Sequence, residues 1–203
     1  MKHFGDIAFT DRVKAEQDAR GSREMYAGLT ARQAPTGLGE REAAFIGMRD
    51  SFYIATVSEE GWPYIQHRGG PRGFLKVLSD TQLGFADYRG NRQYVSVGNL
   101  ATEKRVSLFL MDYPNRARLK LLGKASVMEA RSAPDLAEAL DIEGQGKVER
   151  LFAIEVEAFD WNCPQFITPR FTQEELAASL SPMVEELQTL RQENAFLKQE
   201  LGR

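Results

Sequence analysis

The sequence predicts a mainly β domain with flanking helices, an antiparallel barrel, followed by a C-terminal coiled-coil helix. Three observations support this. Between about residue 50 and residue 161 short β-branched and aromatic runs recur, each bounded by Gly, Asp, Asn or Pro. Six or seven such strands suit an antiparallel barrel, because closure removes exposed edges. The last thirty residues change to a leucine repeat of heptad spacing.

The chain has 203 residues, enough for one domain and an appendage. It divides into an arm over 1–38, a barrel domain over 39–171 and a helical tail over 172–203. The arm is polar and charged and reads as short helices laid against another surface, with a break near Pro35. A helix is expected from Gly39 to Arg49, where Glu40 and Glu42 in the first turn suit the helix dipole.

Phe52–Val57 and Trp62–His67 flank the turn sequence Ser58-Glu59-Glu60-Gly61 and read as a hairpin. Further strands are expected at Gly73–Leu78, Leu83–Tyr88, Val106–Met111, Leu119–Met128 and Phe152–Trp161. In the last of these Phe152, Ile154, Val156 and Ala158 alternate against Ala153, Glu155, Glu157 and Phe159. Helices interrupt the strands at Gln93–Leu100 and from Ser132 to Leu140, where Pro134 suits the first helical turn.

In the tail, Thr172 and Glu175 have the form of a capping box. Leu176, Leu180, Met183, Leu187, Leu190, Asn194, Leu197 and Leu201 then follow at spacings of four and three, with Asn194 at an a position. The stripe suits self-association and higher assembly; a helix lying along its own barrel is the alternative. Pro182 is expected to break the helix.

Composition excludes several classes. Hydrophobic residues make up 42% and charged residues 27%, and net charge is −3. No global field draws the chain to nucleic acid or to an anionic membrane, so any anion site must be built locally. No run approaches a membrane span and the start leads into no apolar signal core, so a cytoplasmic protein is expected. One cysteine, Cys163, permits no intrachain disulfide and reads as a packed, unreactive thiol. Two histidines are too few for a histidine-rich metal site, and no metal is expected. His3 is expected to lie in a disordered end, and His67 either structures its strand or bonds a ligand.

The informative segment is the strand-to-helix turn Tyr88-Arg89-Gly90-Asn91-Arg92-Gln93. Free N–H groups at a helix start attract anions, and arginine offers a planar fork of donors to phosphate oxygens. Lys76, Arg116 and Arg118 lie in or beside neighbouring strands. Such a cluster suits a phosphomonoester; solvated surface arginines are the alternative.

Here the chain resembles the pyridoxamine 5′-phosphate oxidase-like family, known for a split β-barrel that binds FMN at a homodimer interface. The family's phosphate-binding run, Phe-Tyr-Thr-Asn followed by Gly-Ser-Arg-Lys, is similar to Phe85–Gln93, with Phe85, Gly90 and Arg92 kept, Asn91 for Ser and Gln93 for Lys. A family lysine falls on Lys76, and Arg118 takes the place of a flavin-contacting Gln. Trp161 and Arg170 stand near a family Trp and Arg that reach the flavin. The resemblance, over about residues 40 to 170, implies an FMN-binding split β-barrel. Around the phosphate it implies Tyr88, Arg89, Asn91, Arg92 and Gln93. Lys76 and Arg118 follow along the ribityl chain or ring, and His67, Arg68 and the partner subunit's Trp161 frame the ring.

Two departures matter. Arg68-Gly69-Gly70-Pro71-Arg72-Gly73 is an insertion, whose glycines either let backbone approach a flat ligand or form an ordinary loop. Ile167-Thr168-Pro169-Arg170-Phe171 replaces the Arg-x-His pattern of the vitamin B6 oxidases, so that oxidation is not expected. Asp160–Gln165 is similar instead to a run in the family's flavin-nucleotide-binding branch. The implied activity is an FMN-dependent oxidoreductase acting on a small molecule, with NAD(P)H or oxygen as partner. Alternatives are a non-catalytic module that binds or senses FMN, or a split barrel that takes haem or F420.

Overall fold

The computed structural model describes every residue except Arg32, Asn162, Cys163 and Arg203. The expected role of Cys163, and part of the Asp160–Gln165 run, therefore lie outside the described residues.

Seven strands form one antiparallel sheet: β1 (Ser51–Val57), β2 (Pro63–Gly69), β3 (Lys76–Ser79), β4 (Gln82–Tyr88), β5 (Arg105–Asp112), β6 (Ala117–Glu129) and β7 (Val148–Trp161). Their order is β2-β1-β5-β6-β7-β4-β3. Every expected strand is present, with shifted ends; the Gly73–Leu78 strand begins only at Lys76. Expected closure is not reached by backbone hydrogen bonds, since β2 and β3 remain the edges. The short β3 loses register between Val77 and Ser79, which leaves little ladder to offer β2.

Side chains close what the ladder leaves open. Phe52 of β1 packs 5.4 Å edge-on to Phe85 of β4 and 5.5 Å in a stack on Phe74, while Phe85 stacks 4.6 Å from Phe152 of β7. Burying each such ring contributes roughly 1.5–3 kcal/mol. The alternation expected in β7 is seen: Phe152, Ile154, Val156 and Ala158 are all buried. Gly123 is required where β6 and β7 shift register, because a Cβ there would meet the Glu155 carbonyl oxygen at 2.3 Å.

The arm forms α1 (Phe4–Ala8), α2 (Asp11–Ala19) and α3 (Arg23–Thr30). The Lys2 amide donates to the Glu157 carbonyl of β7 at 2.8 Å, tying the arm to the sheet. His3, expected in a disordered end, instead stands at the N-cap of α1. The helix α4 (Glu40–Gly47) follows, shorter than expected, then α5 (Val95–Thr102) between β4 and β5, and α6 (Pro134–Leu140) between β6 and β7.

The tail forms one helix, α7 (Gln173–Glu200), opened by the expected Thr172–Glu175 capping box. It runs unbroken through Pro182, against expectation. Proline removes the bond its N–H would make to the Ala178 carbonyl, but α7 buries none of its residues, so that carbonyl faces solvent and remains solvated. The same exposure rules out the alternative of a helix laid along its own barrel. Among the described residues no helix is long and apolar enough to cross a membrane.

Candidate functional site

The helix α5 begins at Val95, two residues later than expected. The loop before it is held in a costly shape. Arg92 and Tyr94 both adopt left-handed φ, 63° and 54°, which costs a non-glycine residue about 1–2 kcal/mol. The Asn91 side-chain oxygen accepts from the Gln93 amide at 3.2 Å and tightens the turn. Tyr94 at the N-cap makes no side-chain cap, so the first amides of α5 lack that partner. Such strain persists only where its surroundings impose it, and it concentrates at functional sites.

This turn forms one wall of a cleft of about 250 Å³. Tyr64, Gln66 and Arg68 of β2 form the opposite wall, with Asp87 and Arg150 between them. Asp87 and Arg150 are direct cross-strand partners on β4 and β7. The Asp87 carboxylate accepts from Arg68 Nη1 at 2.6 Å and from Arg150 Nε at 3.0 Å. Burial, the largest influence, acts to lower the Arg150 pKa. The hydrogen bonds it donates to Asp87 and Tyr94, with the charges of Asp87 and Glu149, outweigh it and hold the guanidinium above its ordinary value. Arg150 also lies 4.5 Å from the Tyr94 ring centroid. Ser96, buried, donates to Gln66 at 2.7 Å and ties α5 to β2.

A second cleft of about 260 Å³ continues from the first, sharing Arg68, Asp87, Tyr88 and Gly90, and is lined by Gly69, Gly70 and Pro71. A Cβ on Gly70 would meet Phe74 at 2.8 Å, so glycine here lets the insertion lie close over the core. Tyr88 turns to α6: its hydroxyl donates to Asp141 at 2.8 Å and accepts from the Ile142 amide at 2.7 Å.

Of the residues singled out from sequence, Arg68, Tyr88, Asn91, Arg92 and Gln93 share the first cleft, and Arg89 lines the second. The others stand elsewhere in this chain. The Lys76 ammonium donates to the Ala139 carbonyl at 2.8 Å. His67 points to the outer face of the sheet beside Tyr53, its register partner. Arg118 lies 5.9 Å from the Phe109 ring, its Nε buried without a partner. Trp161 donates its indole N–H to Glu42 at 2.7 Å beneath the Arg41 guanidinium. Arg170 lies over Tyr113 at 5.0 Å, in a further cleft with Arg49 and Asp112.

Sequence reasoning gave Asp87 and Arg150 no role. Asp87 had one available signal, a lone carboxylate ending the apolar run Leu83–Ala86, which burial obliges to find a cation. Arg150 had none until strand register was known. Among the described residues no cluster could hold a metal ion.

Residues 38–158 match the family model described as pyridoxamine 5′-phosphate oxidase. No curated protein matches the chain. Similar solved structures include HupZ of Group A Streptococcus, with 14% identity over 66% of this chain and 99% of that one and a TM-score of 0.48. A putative pyridoxamine 5′-phosphate oxidase from Lactobacillus delbrueckii has 18% identity over 62% and 95%, with a TM-score of 0.47. An FMN-binding protein from Syntrophomonas wolfei has 11% identity over 71% and 97%, with a TM-score of 0.45.

Proposed function

The chain belongs to the pyridoxamine 5′-phosphate oxidase family, and from that premise we propose that it binds FMN by its phosphate in the Arg92 cleft and acts as an FMN-dependent oxidoreductase on a small molecule. One observation carries the reading. Among the described residues Arg92 is the cleft arginine that no carboxylate pairs, and it sits on a strained turn at an uncapped helix start. The wall also fits an anionic ligand: Arg68 Nε is buried with no hydrogen-bond partner, a donor that a ligand oxygen would satisfy.

In this reading Asn91, Arg92, Gln93 and the first amides of α5 grip the phosphate. Asp87 bridges Arg68 and Arg150, and Glu149 also pairs with Arg150 at 3.2 Å, so these groups hold the wall in place and the unpaired positive charge of the cleft is that of Arg92. Bound FMN supplies hydride exchange at its N5. Positive charge beside its ring favours the reduced anion, and Arg118 is the cation assigned there. Since Arg118, Trp161 and His67 do not line the cleft of their own chain, a second subunit is assigned to bring them, making the site that of a homodimer. The outer face carrying Tyr53, Ile65 and His67, with Tyr53 and Ile65 exposed, is the surface such a partner would cover.

The test is the absorption spectrum of the protein as purified and after reconstitution with FMN. One flavin per chain is expected, reduced on addition of NAD(P)H with electrons passed onward. Flavin bound but not reduced by any common donor would make this a binding module instead. Protein that stays colourless with FMN would overturn the reading.

A further inference from the structure

The helix α7 leaves its heptad stripe uncovered: Leu176, Leu180, Met183, Leu187, Leu190, Leu197 and Leu201 are between 46 and 71% exposed. From the chemistry flanking that stripe we infer that α7 pairs with α7 of a second copy of this chain, as a parallel, in-register, two-stranded coiled coil.

Leu180, Leu187, Asn194 and Leu201 occupy a positions, and Leu176, Met183, Leu190 and Leu197 occupy d positions. The flanking g positions hold Glu186 and Glu193, and the e positions that follow five residues later hold Arg191 and Lys198. In a parallel pair each g side chain faces the partner's next e side chain, so Glu186 meets Arg191 of the other copy and Glu193 meets its Lys198. Both contacts join opposite charges, and symmetry doubles them. In an antiparallel pair g faces g and e faces e. Glutamates would then meet glutamates and cations meet cations, which is unfavourable.

Asn194 gives the same answer independently. Parallel and in register, it faces its own copy, and two amides exchange hydrogen bonds across the seam. In any other register it would face leucine with its polar groups unsatisfied, which is how one polar a residue selects register. Pro182 is compatible with this arrangement. It falls at an outward c position, and the Ala178 carbonyl it frees falls at an outward f position, so the defect stays off the seam.

The test uses the full chain in a Cys163→Ser background. Two cysteines bridge only when their Cα atoms lie within about 7 Å. Leu190→Cys, at the seam, should form a reducible covalent dimer on oxidation, whereas Gln192→Cys, facing outward, should not. Glu186→Lys with Glu193→Lys should abolish that cross-link, as should Arg191→Glu with Lys198→Glu. The two charge-reversed chains expressed together should recover it as a mixed pair. No cross-link at position 190, equal cross-linking at 192, or no recovery in the mixture would each overturn the proposal. Flavin content is read on the same samples. It is expected to be unchanged throughout, so failure of the coil and failure of the flavin assignment are distinguishable.

Discussion

The Arg68 guanidinium and the Asp87 carboxylate meet at 2.6 Å across the opening that the backbone ladder leaves in the barrel. The ion pair belongs both to the fold and to the candidate site, because the same carboxylate also anchors Arg150. Side-chain exposures of 18, 9 and 14% for Arg68, Asp87 and Arg150 make this a largely desolvated triad. Asp87→Asn leaves the buried Arg68 without a carboxylate and Arg150 with Glu149 alone, and should cost roughly 3 kcal/mol in urea unfolding. Arg68→Met keeps the volume and leaves Asp87 paired with Arg150, so it should cost only about 1 kcal/mol. Equal losses in the two variants would show that Asp87 is not the hub.

Arg92 separates binding from folding. Arg92→Ala removes one charge-assisted hydrogen bond to the phosphate, about 1.5–3 kcal/mol, and should weaken FMN roughly ten- to a hundredfold in a fluorescence titration. Arg92→Gly should lose flavin equally, yet hold or raise the unfolding midpoint, because glycine adopts φ of 63° without the Cβ penalty. Unchanged flavin affinity in both variants would remove Arg92 from the site.

The sequence made the strands legible because each apolar run is short and bounded by turn residues, and β7 shows its buried face by simple alternation. It also made the turn from Tyr88 to Gln93 legible as a candidate site, since the residues that line one wall of the cleft there are continuous in the chain. What it hid is what register creates. Arg150 reaches Asp87 only because β7 pairs with β4, a neighbour 63 residues away. The open edge was hidden too, because the register slip between Val77 and Ser79 belongs to the β3–β4 pairing and not to either run by itself. Pro182 misled for a different reason: inside a helix proline costs one bond and a clash with the carbonyl four residues back, which weakens the helix without always ending it, and α7 runs through it with that carbonyl solvated.

Glu42 joins the start of α4 to the end of β7. One carboxylate oxygen accepts from the Gly39 amide at 3.0 Å and the other from the Trp161 indole at 2.7 Å. Glu42→Ala removes a cap worth about 1 kcal/mol and a charged hydrogen bond worth about 1.5–3 kcal/mol. A combined loss of roughly 2–4 kcal/mol is expected by chemical unfolding. In a Trp62→Phe background, which removes the exposed tryptophan, the Trp161 emission should shift to longer wavelength. Glu42→Gln should keep most of the stability, since its amide oxygen can still accept one of the two bonds.

Tyr88 gives a test in pH. Burial first, then its hydrogen bond to Asp141 and that group's charge, raise the Tyr88 phenol above its ordinary value, against a lowering influence from the Ile142 amide. A raised pKa means that folding favours the protonated phenol. The linked stability is fully present below the unfolded value of about 10 and is lost as pH climbs through the higher folded value. Subtracting the phenolate titration of Tyr88→Phe from that of the unsubstituted protein should isolate a single tyrosine titrating above pH 10. The variant should be less stable at neutral pH, while the gap narrows in strong alkali. A difference titration centred at or below the ordinary value would mean that the bond to Asp141 does not hold the α6–β7 loop against the cleft.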